Sequence, residues 1–368
     1  MSHPMKAAAL AAGLVFLVAF QGAPAAEVAS PDDAARYLAG IQPSTDSPLA
    51  KYTRDAGWKQ HAQYFDTAWK KLDRDQLSKI RTWSAEHLKE RRGTLFYLFS
   101  GPDFLYANAF FPNASTYVLA GLEPVGRVPE ITERTRLSLP NLRASLNTAL
   151  NLTFFITAHM RQQLQHGELA GTLPILYVFI ARAGKTIREV TLVNLDRDGV
   201  VQPATQARAP QTEPGVKIVF SSGDGPPQTL YYIRTDLSDG GVKNSGFLKF
   251  SEKLGIGDSF LKSASYLVHT RGFSRVRDFL LEHSQNIVQD DSGIPILAFK
   301  PDEWQLNLFG TYVGPIGTFA DKYQAKLRQL YQQGRPPRLE FGIGYRHRAN
   351  DSNLLLAVKK KSAKTESQ

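Results

Sequence analysis

Between Gly93 and Glu123 the order of residue types leaves few folds open. Thr94-Leu95-Phe96-Tyr97-Leu98-Phe99 is a continuous apolar, aromatic-rich run. Its length and its lack of polar alternation predict a strand covered on both faces. Ser100-Gly101-Pro102-Asp103 then reads as a turn, Phe104 to Phe111 as a short helix stopped by Pro112-Asn113, and Thr116 to Leu122 as a second apolar strand. A strand, turn, helix and strand within about 30 residues is the commonest source of parallel pairing.

The flanking chain supports an α/β class. Ser30-Pro31-Asp32-Asp33 carries a capping serine, a first-turn proline and two acids, a helix-start signature. From Asp55 to Arg91, Trp58, Phe65, Trp69, Leu72, Leu77, Ile80 and Trp83 recur at spacings of three and four, predicting two amphipathic helices broken near Leu72-Asp73. Leu142 to Gln165 reads as helix, while Leu173 to Ala181 is an apolar run that fits helix or strand. Ile187 to Leu195, Gly215 to Ser221 and Gln228 to Arg234 read as strands, the last two as a hairpin that is either an antiparallel extension or the start of a subdomain. Then come Phe247 to Leu254 as helix, Ala264 to His269 as strand, Phe273 to Ser284 as helix and Ile287 to Asp291 as strand. Trp304 to Phe309 and Arg338 to Tyr345 read as strands around a helix over Phe319 to Gln332. The expected fold is α/β with a mixed or mostly parallel sheet. Its parts are a helical N-terminal region over 26–92, an α/β domain over 93–347 with a hairpin insertion at about 187–236, and a flexible basic C-terminal tail over 348–368.

The first residues constrain location. Lys6 precedes an apolar run from Ala7 to Phe20, which ends in Gln21-Gly22-Ala23-Pro24-Ala25-Ala26. The run is shorter than the roughly 18 residues of a spanning helix. It predicts a secretory signal peptide over 1–25, cleaved after Ala25, and a mature protein in the bacterial periplasm or beyond, with no membrane anchor remaining. There is no cysteine in the chain, which excludes disulfides, thiolate metal sites and a cysteine nucleophile. The net charge of +10 favours contact with an anionic envelope component, although Lys and Arg are interleaved with acids outside the terminal Lys359, Lys360, Lys361 and Lys364. No nucleic-acid-binding motif is present.

The sharpest chemical candidate is Ser100-Gly101-Pro102-Asp103, at a strand end, with Glu123 at the end of the next strand. Ligands gather at strand ends in doubly wound folds, a glycine there lets a ligand approach the backbone, and an acid about 20 residues on can bind ribose hydroxyls. The layout resembles the first unit of a Rossmann-type nucleotide or S-adenosylmethionine fold. It departs from that pattern in having one glycine, in Pro102, which lacks an amide donor, and in Asp103, whose charge opposes a phosphate. A dinucleotide is therefore disfavoured, and export would separate the protein from cytosolic cofactors; no cofactor is assigned. The other reading makes Ser100 and Asp103 helix caps.

Asp290 and Asp291 form a second cluster, in Gln289-Asp290-Asp291-Ser292-Gly293, and can be either a base or cation site or ordinary turn residues. His269 closes another predicted strand, and no histidine stands at metal-ligand spacing from another ligand, so no metal site is expected. Two function classes follow. One is an exported binding or structural protein using the α/β unit as scaffold. The other is an exported hydrolase or transferase with Asp103, Glu123, His269, Asp290 and Asp291 as catalytic groups and Ser100 and Gly101 against the ligand.

Overall fold

The computed structural model describes residues 29–152, 169–204 and 212–361. The expected signal peptide, the second half of the helix expected to reach Gln165 and the last residues of the tail lie outside the described residues.

Among the described residues ten strands form one mixed sheet. In chain order they are β1 (Thr94–Tyr97), β2 (Thr116–Gly121), β3 (Thr186–Leu195), β4 (Val201–Pro203), β5 (Glu213–Ser221), β6 (Gln228–Arg234), β7 (Gly257–Leu261), β8 (Ser284–Gln289), β9 (Trp304–Gly310) and β10 (Asn353–Lys359). Their order across the sheet is β4-β3-β5-β6-β2-β1-β7-β8-β10-β9. The centre, β6-β2-β1-β7-β8, is parallel throughout. Both flanks are antiparallel. Within the parallel centre the chain first steps outward from β1 through β2 to β6, then crosses back to β7 on the other side of β1. The order reverses between β1 and β7.

The two continuous apolar strands are covered on both faces. Leu95 and Tyr97 of β1 and Tyr117 and Leu119 of β2 join one hydrophobic cluster, and Phe96, Leu98, Val118 and Ala120 join the other. The first face is packed by α1 (Pro31–Leu38), α2 (Ala56–Leu72), α3 (Ser78–His87), α4 (Phe104–Phe110), α5 (Leu139–Leu152) and α6 (Leu173–Arg182). The second is packed by α7 (Asp239–Asn244), α8 (Phe247–Lys253), α9 (Ser274–His283) and α10 (Ala325–Gly334).

Local chemistry explains several of these elements. Ser30 caps α1 by accepting the Asp33 amide at 3.0 Å, with Pro31 in the first turn. The break expected near Leu72-Asp73 is a single π turn over Asp73–Leu77 that joins α2 to α3. The ambiguous run at Leu173 is a helix. Its residues Ile175 to Ile180 are fully buried, and a helix apolar all round lacks the periodicity that tells it from a strand.

Four expectations are corrected. Of the two readings of the ribbon at 187–236, the structure has the antiparallel extension and not the separate subdomain, because β5 pairs with β6 and β6 is itself the third parallel strand. Ala264 to His269 is not a strand; β7 ends at Leu261 and a turn follows. Its strand was hidden because Asp258 and Ser259 are polar yet fully buried, held by Asn286, the Arg92 amide and Ser284. The helix expected over Phe319 to Gln332 divides into a 3-10 turn over Gly317–Lys322 and α10. Finally, Arg338 to Tyr345 is not the last strand and residues from 348 are not all tail. Leu354-Leu355-Leu356-Ala357 lies buried in β10, paired on both sides, beside the lysines that make the segment look solvated.

Candidate binding cleft

The carboxyl ends of β1, β2, β6 and β7 converge on a cleft of about 220 Å³. It lies where the parallel strand order reverses, the position at which open α/β sheets leave a crevice between diverging connections.

One wall is the turn after β1. Gly101 has φ +55° and its amide donates to the Ala120 carbonyl at 3.0 Å, which binds the turn to the end of β2. This left-handed conformation suits glycine, and the missing side chain leaves the backbone open to the cleft. Asp103 then caps α4, its Oδ1 accepting the Tyr106 amide at 3.2 Å. Its Oδ2 accepts the Tyr97 hydroxyl at 2.9 Å and stands 2.8 Å from the Lys262 ammonium. Lys262 follows β7, lies 3.9 Å above the Tyr106 ring, and is buried with Asp103. Burial, reinforced by Asp103, pushes the Tyr97 phenol well above its usual range, so it remains a donor.

The second wall is the end of β2. Glu123 is 4% exposed. Its Oε2 lies over Gly121, so close that a Cβ at Gly121 would stand 2.5 Å from it and 3.1 Å from the Gly101 Cα. The Tyr232 hydroxyl donates to the Glu123 main-chain carbonyl at 2.9 Å and reaches Oε2 only at 3.5 Å. Thr235 completes this wall, its amide donating to the Gly121 carbonyl at 3.0 Å.

The third wall is the turn after β7, where Ser263, Ser265 and Tyr266 all have φ +53°. Non-glycine residues hold that conformation only when their surroundings over-determine it. Here the surroundings are the end of β8. Asp290 accepts the Ser263 amide at 3.0 Å, Ser292 Oγ accepts the Ala264 amide at 2.7 Å, and Asp291 accepts the Tyr266 hydroxyl at 2.7 Å. Tyr345 adds a hydrogen bond to the Ser263 carbonyl at 3.0 Å.

Of the residues singled out from sequence, Ser100, Gly101, Asp103 and Glu123 line this cleft together. Asp290 and Asp291 line a separate narrow crevice with Gln289, Gln324 and Asn353. Asp290 also accepts the Ser292 amide and hydroxyl, and Asp291 accepts the Asn353 amide at 3.0 Å. Burial raises both carboxyls, with Asp291 adding to the effect on Asp290. They stand behind the cleft wall and hold it. His269 ends a 3-10 turn, packs edge-on against Tyr266 and lines neither space; burial lowers its imidazole to about 4.

Comparison with protein-family models, with curated proteins and with solved structures gives no match. Asp103 has three donors on two oxygens and ties α4 to the end of β7. Glu123 and Asp236 are the other lining acids, and among the described residues the Glu123 carboxylate has only the long 3.5 Å contact with the Tyr232 hydroxyl. Among the described residues no group of three or more acids and histidines is placed to hold a metal ion, and no helix is long and apolar enough to cross a membrane.

Lys262, Tyr97, Thr235 and Ser263 were not picked out from sequence. Lys262 was obscured by the misplaced strand: once β7 is set at Gly257–Leu261, a lysine at its carboxyl end is a strand-end residue like Glu123.

Proposed function

We propose that the protein is an exported binding protein of the bacterial envelope that captures a small organic molecule in this cleft, on a degenerate, Rossmann-like doubly wound scaffold. The observation that carries this reading is the position of the cleft at the strand-order reversal, walled by the backbones of Gly101 and Gly121 and braced by the buried Asp103–Lys262 pair. Export rests on Lys6, the apolar run to Phe20 and the small residues before Ala26; envelope contact rests on the surplus of basic residues. A phosphate-bearing dinucleotide suits the turn poorly, because Pro102 removes one amide donor and Glu123 and Asp236 add negative charge to the lining.

Binding is preferred to catalysis because the five titratable residues proposed for an enzyme separate. Asp103 and Glu123 share the cleft, Asp103 is held by three donors, and Asp290, Asp291 and His269 lie outside it. A thermal-shift screen of the mature chain from Ala26, against small metabolites, glycan fragments and lipid headgroups, tests the reading. A stabilising compound recovered unchanged after prolonged incubation supports it; conversion of that compound supports the hydrolase or transferase alternative. Amino-terminal sequencing of protein from the periplasmic fraction tests export, and a mature terminus at Met1 in the cytoplasm contradicts it.

A further inference from the structure

We infer that the cleft selects an organic cation, a protonated amine on a small apolar body. This rests on the binding role proposed above and names the class of ligand.

The charge balance of the walls gives the first reason. Among the described residues Lys262 is the single basic one that lines the cleft, and it lies against Asp103. Glu123 and Asp236 remain as lining acids. Asp236 is exposed and accepts the Ser238 amide and hydroxyl, both at 2.9 Å, so its charge is solvated and partly engaged. Glu123 is different. It is 4% exposed, no Lys, Arg or His among the described residues comes within ion-pair distance of it, and its carboxylate meets only the Tyr232 hydroxyl at 3.5 Å. Taking a carboxylate out of water without a partner is costly, so a buried acid of this kind is best matched by a positive charge from a ligand.

The second reason is independent of charge. Thr235 is 3% exposed and its Oγ1 has no hydrogen-bond partner among the described residues; the buried Oγ of Ser263 has none either. Both residues line the cleft. Hydroxyl oxygens buried in this way are acceptors for N–H groups, and Thr235 adjoins Gly121, over which Glu123 Oε2 lies. An ammonium group carries several N–H donors and suits a carboxylate beside hydroxyl acceptors. A carboxylate or phosphate ligand would face Glu123 unneutralised.

The third reason concerns the rest of the ligand. Phe99 and Phe273, with ring centroids 6.1 Å apart, and Leu237 and Leu267 supply apolar contact around the polar floor. A cavity of about 220 Å³ limits the ligand to a small molecule.

The test is calorimetric titration of the mature chain with three probes of one shape: 2-phenylethylamine, 2-phenylethanol and phenylacetate. The expected result is binding of the amine at least tenfold tighter than the alcohol, with no detectable binding of the acid. Glu123→Gln should weaken the amine at least tenfold, leave the alcohol within twofold, and leave the melting temperature of the unliganded protein unchanged or higher. Thr235→Val should also weaken the amine without lowering that melting temperature. Equal binding of amine and alcohol, or an amine affinity indifferent to Glu123→Gln, overturns the cation assignment while leaving small-molecule binding in place. Failure of all three probes overturns it too, and if the wider metabolite screen is also empty the binding role falls with it.

Discussion

Lys262 and Asp103 meet at 2.8 Å in the protein interior, one from the end of β7 and the other from the cap of α4, across the point where the strand order reverses. Their pairing fixes the floor of the cleft. Removing one member leaves a buried charge alone, which costs about 3–5 kcal/mol. Lys262→Met is expected to lower the unfolding free energy in urea by that order, and Asp103→Asn, which retains an acceptor, by less. A Lys262→Met variant as stable as the parent would show that the pair carries no structural weight.

The clamp behind the third wall gives a second expectation. Asp291→Ala leaves the Tyr266 hydroxyl and the Asn353 amide without their acceptor, at about 1–3 kcal/mol for each buried group. The variant should melt well below the parent. An unchanged melting temperature together with lost function would return Asp291 to the catalytic role suggested by its sequence.

Ser263 offers the opposite sign. Its φ of +53° is unfavourable for a residue with a Cβ, and its hydroxyl bonds to nothing among the described residues. Ser263→Gly relieves that strain and is expected to stabilise the fold by up to about 1 kcal/mol in the same urea experiment. Destabilisation would mean that the serine side chain packs in a way its hydrogen bonds do not reveal.

Two buried groups set opposing pH dependences. His61 donates from Nε2 to the Leu38 carbonyl at 2.8 Å, and burial lowers its imidazole to about 4. The unfolded chain binds that proton near 6.5, so its contribution is complete above that pH and is lost as the pH falls towards 4, up to about 3 kcal/mol. Asp258 is raised to about 6 by burial. Its contribution is complete below the ordinary aspartate value and is lost as the pH rises through 6. His61→Gln should therefore flatten the acid limb of stability measured between pH 6.5 and 4. An acid limb identical to the parent's would refute the assignment to His61.

The legible parts of the fold are those where one residue type dominates a segment. Leu95 to Leu98 and Tyr117 to Ala120 alternate between two cores, so both strands are apolar throughout and their boundaries are clear. β7 and β10 were obscured for contrary reasons: Asp258 and Ser259 are polar residues satisfied inside, and Lys359 to Lys361 disguise a buried strand as a tail. The cleft was legible in the same measure. Ser100, Gly101, Asp103 and Glu123 stand at strand ends that the pattern defines. Lys262 needed the true end of β7, and the roles of Asp290 and Asp291 depend on Ser263 for the first and on Tyr266 and Asn353 for the second, partners that only the folded chain brings near.

On the function proposed above, this cleft is where the protein meets its ligand. Amide and methyl NMR spectra of the mature chain, recorded with any compound that raises its melting temperature, test it most directly. The largest shifts are expected on Gly101, Gly121, Glu123, Thr235, Lys262 and Ser263, and they should vanish in a Leu237→Trp variant that fills the cleft. Shifts confined to another surface, or unaffected by that variant, would contradict it.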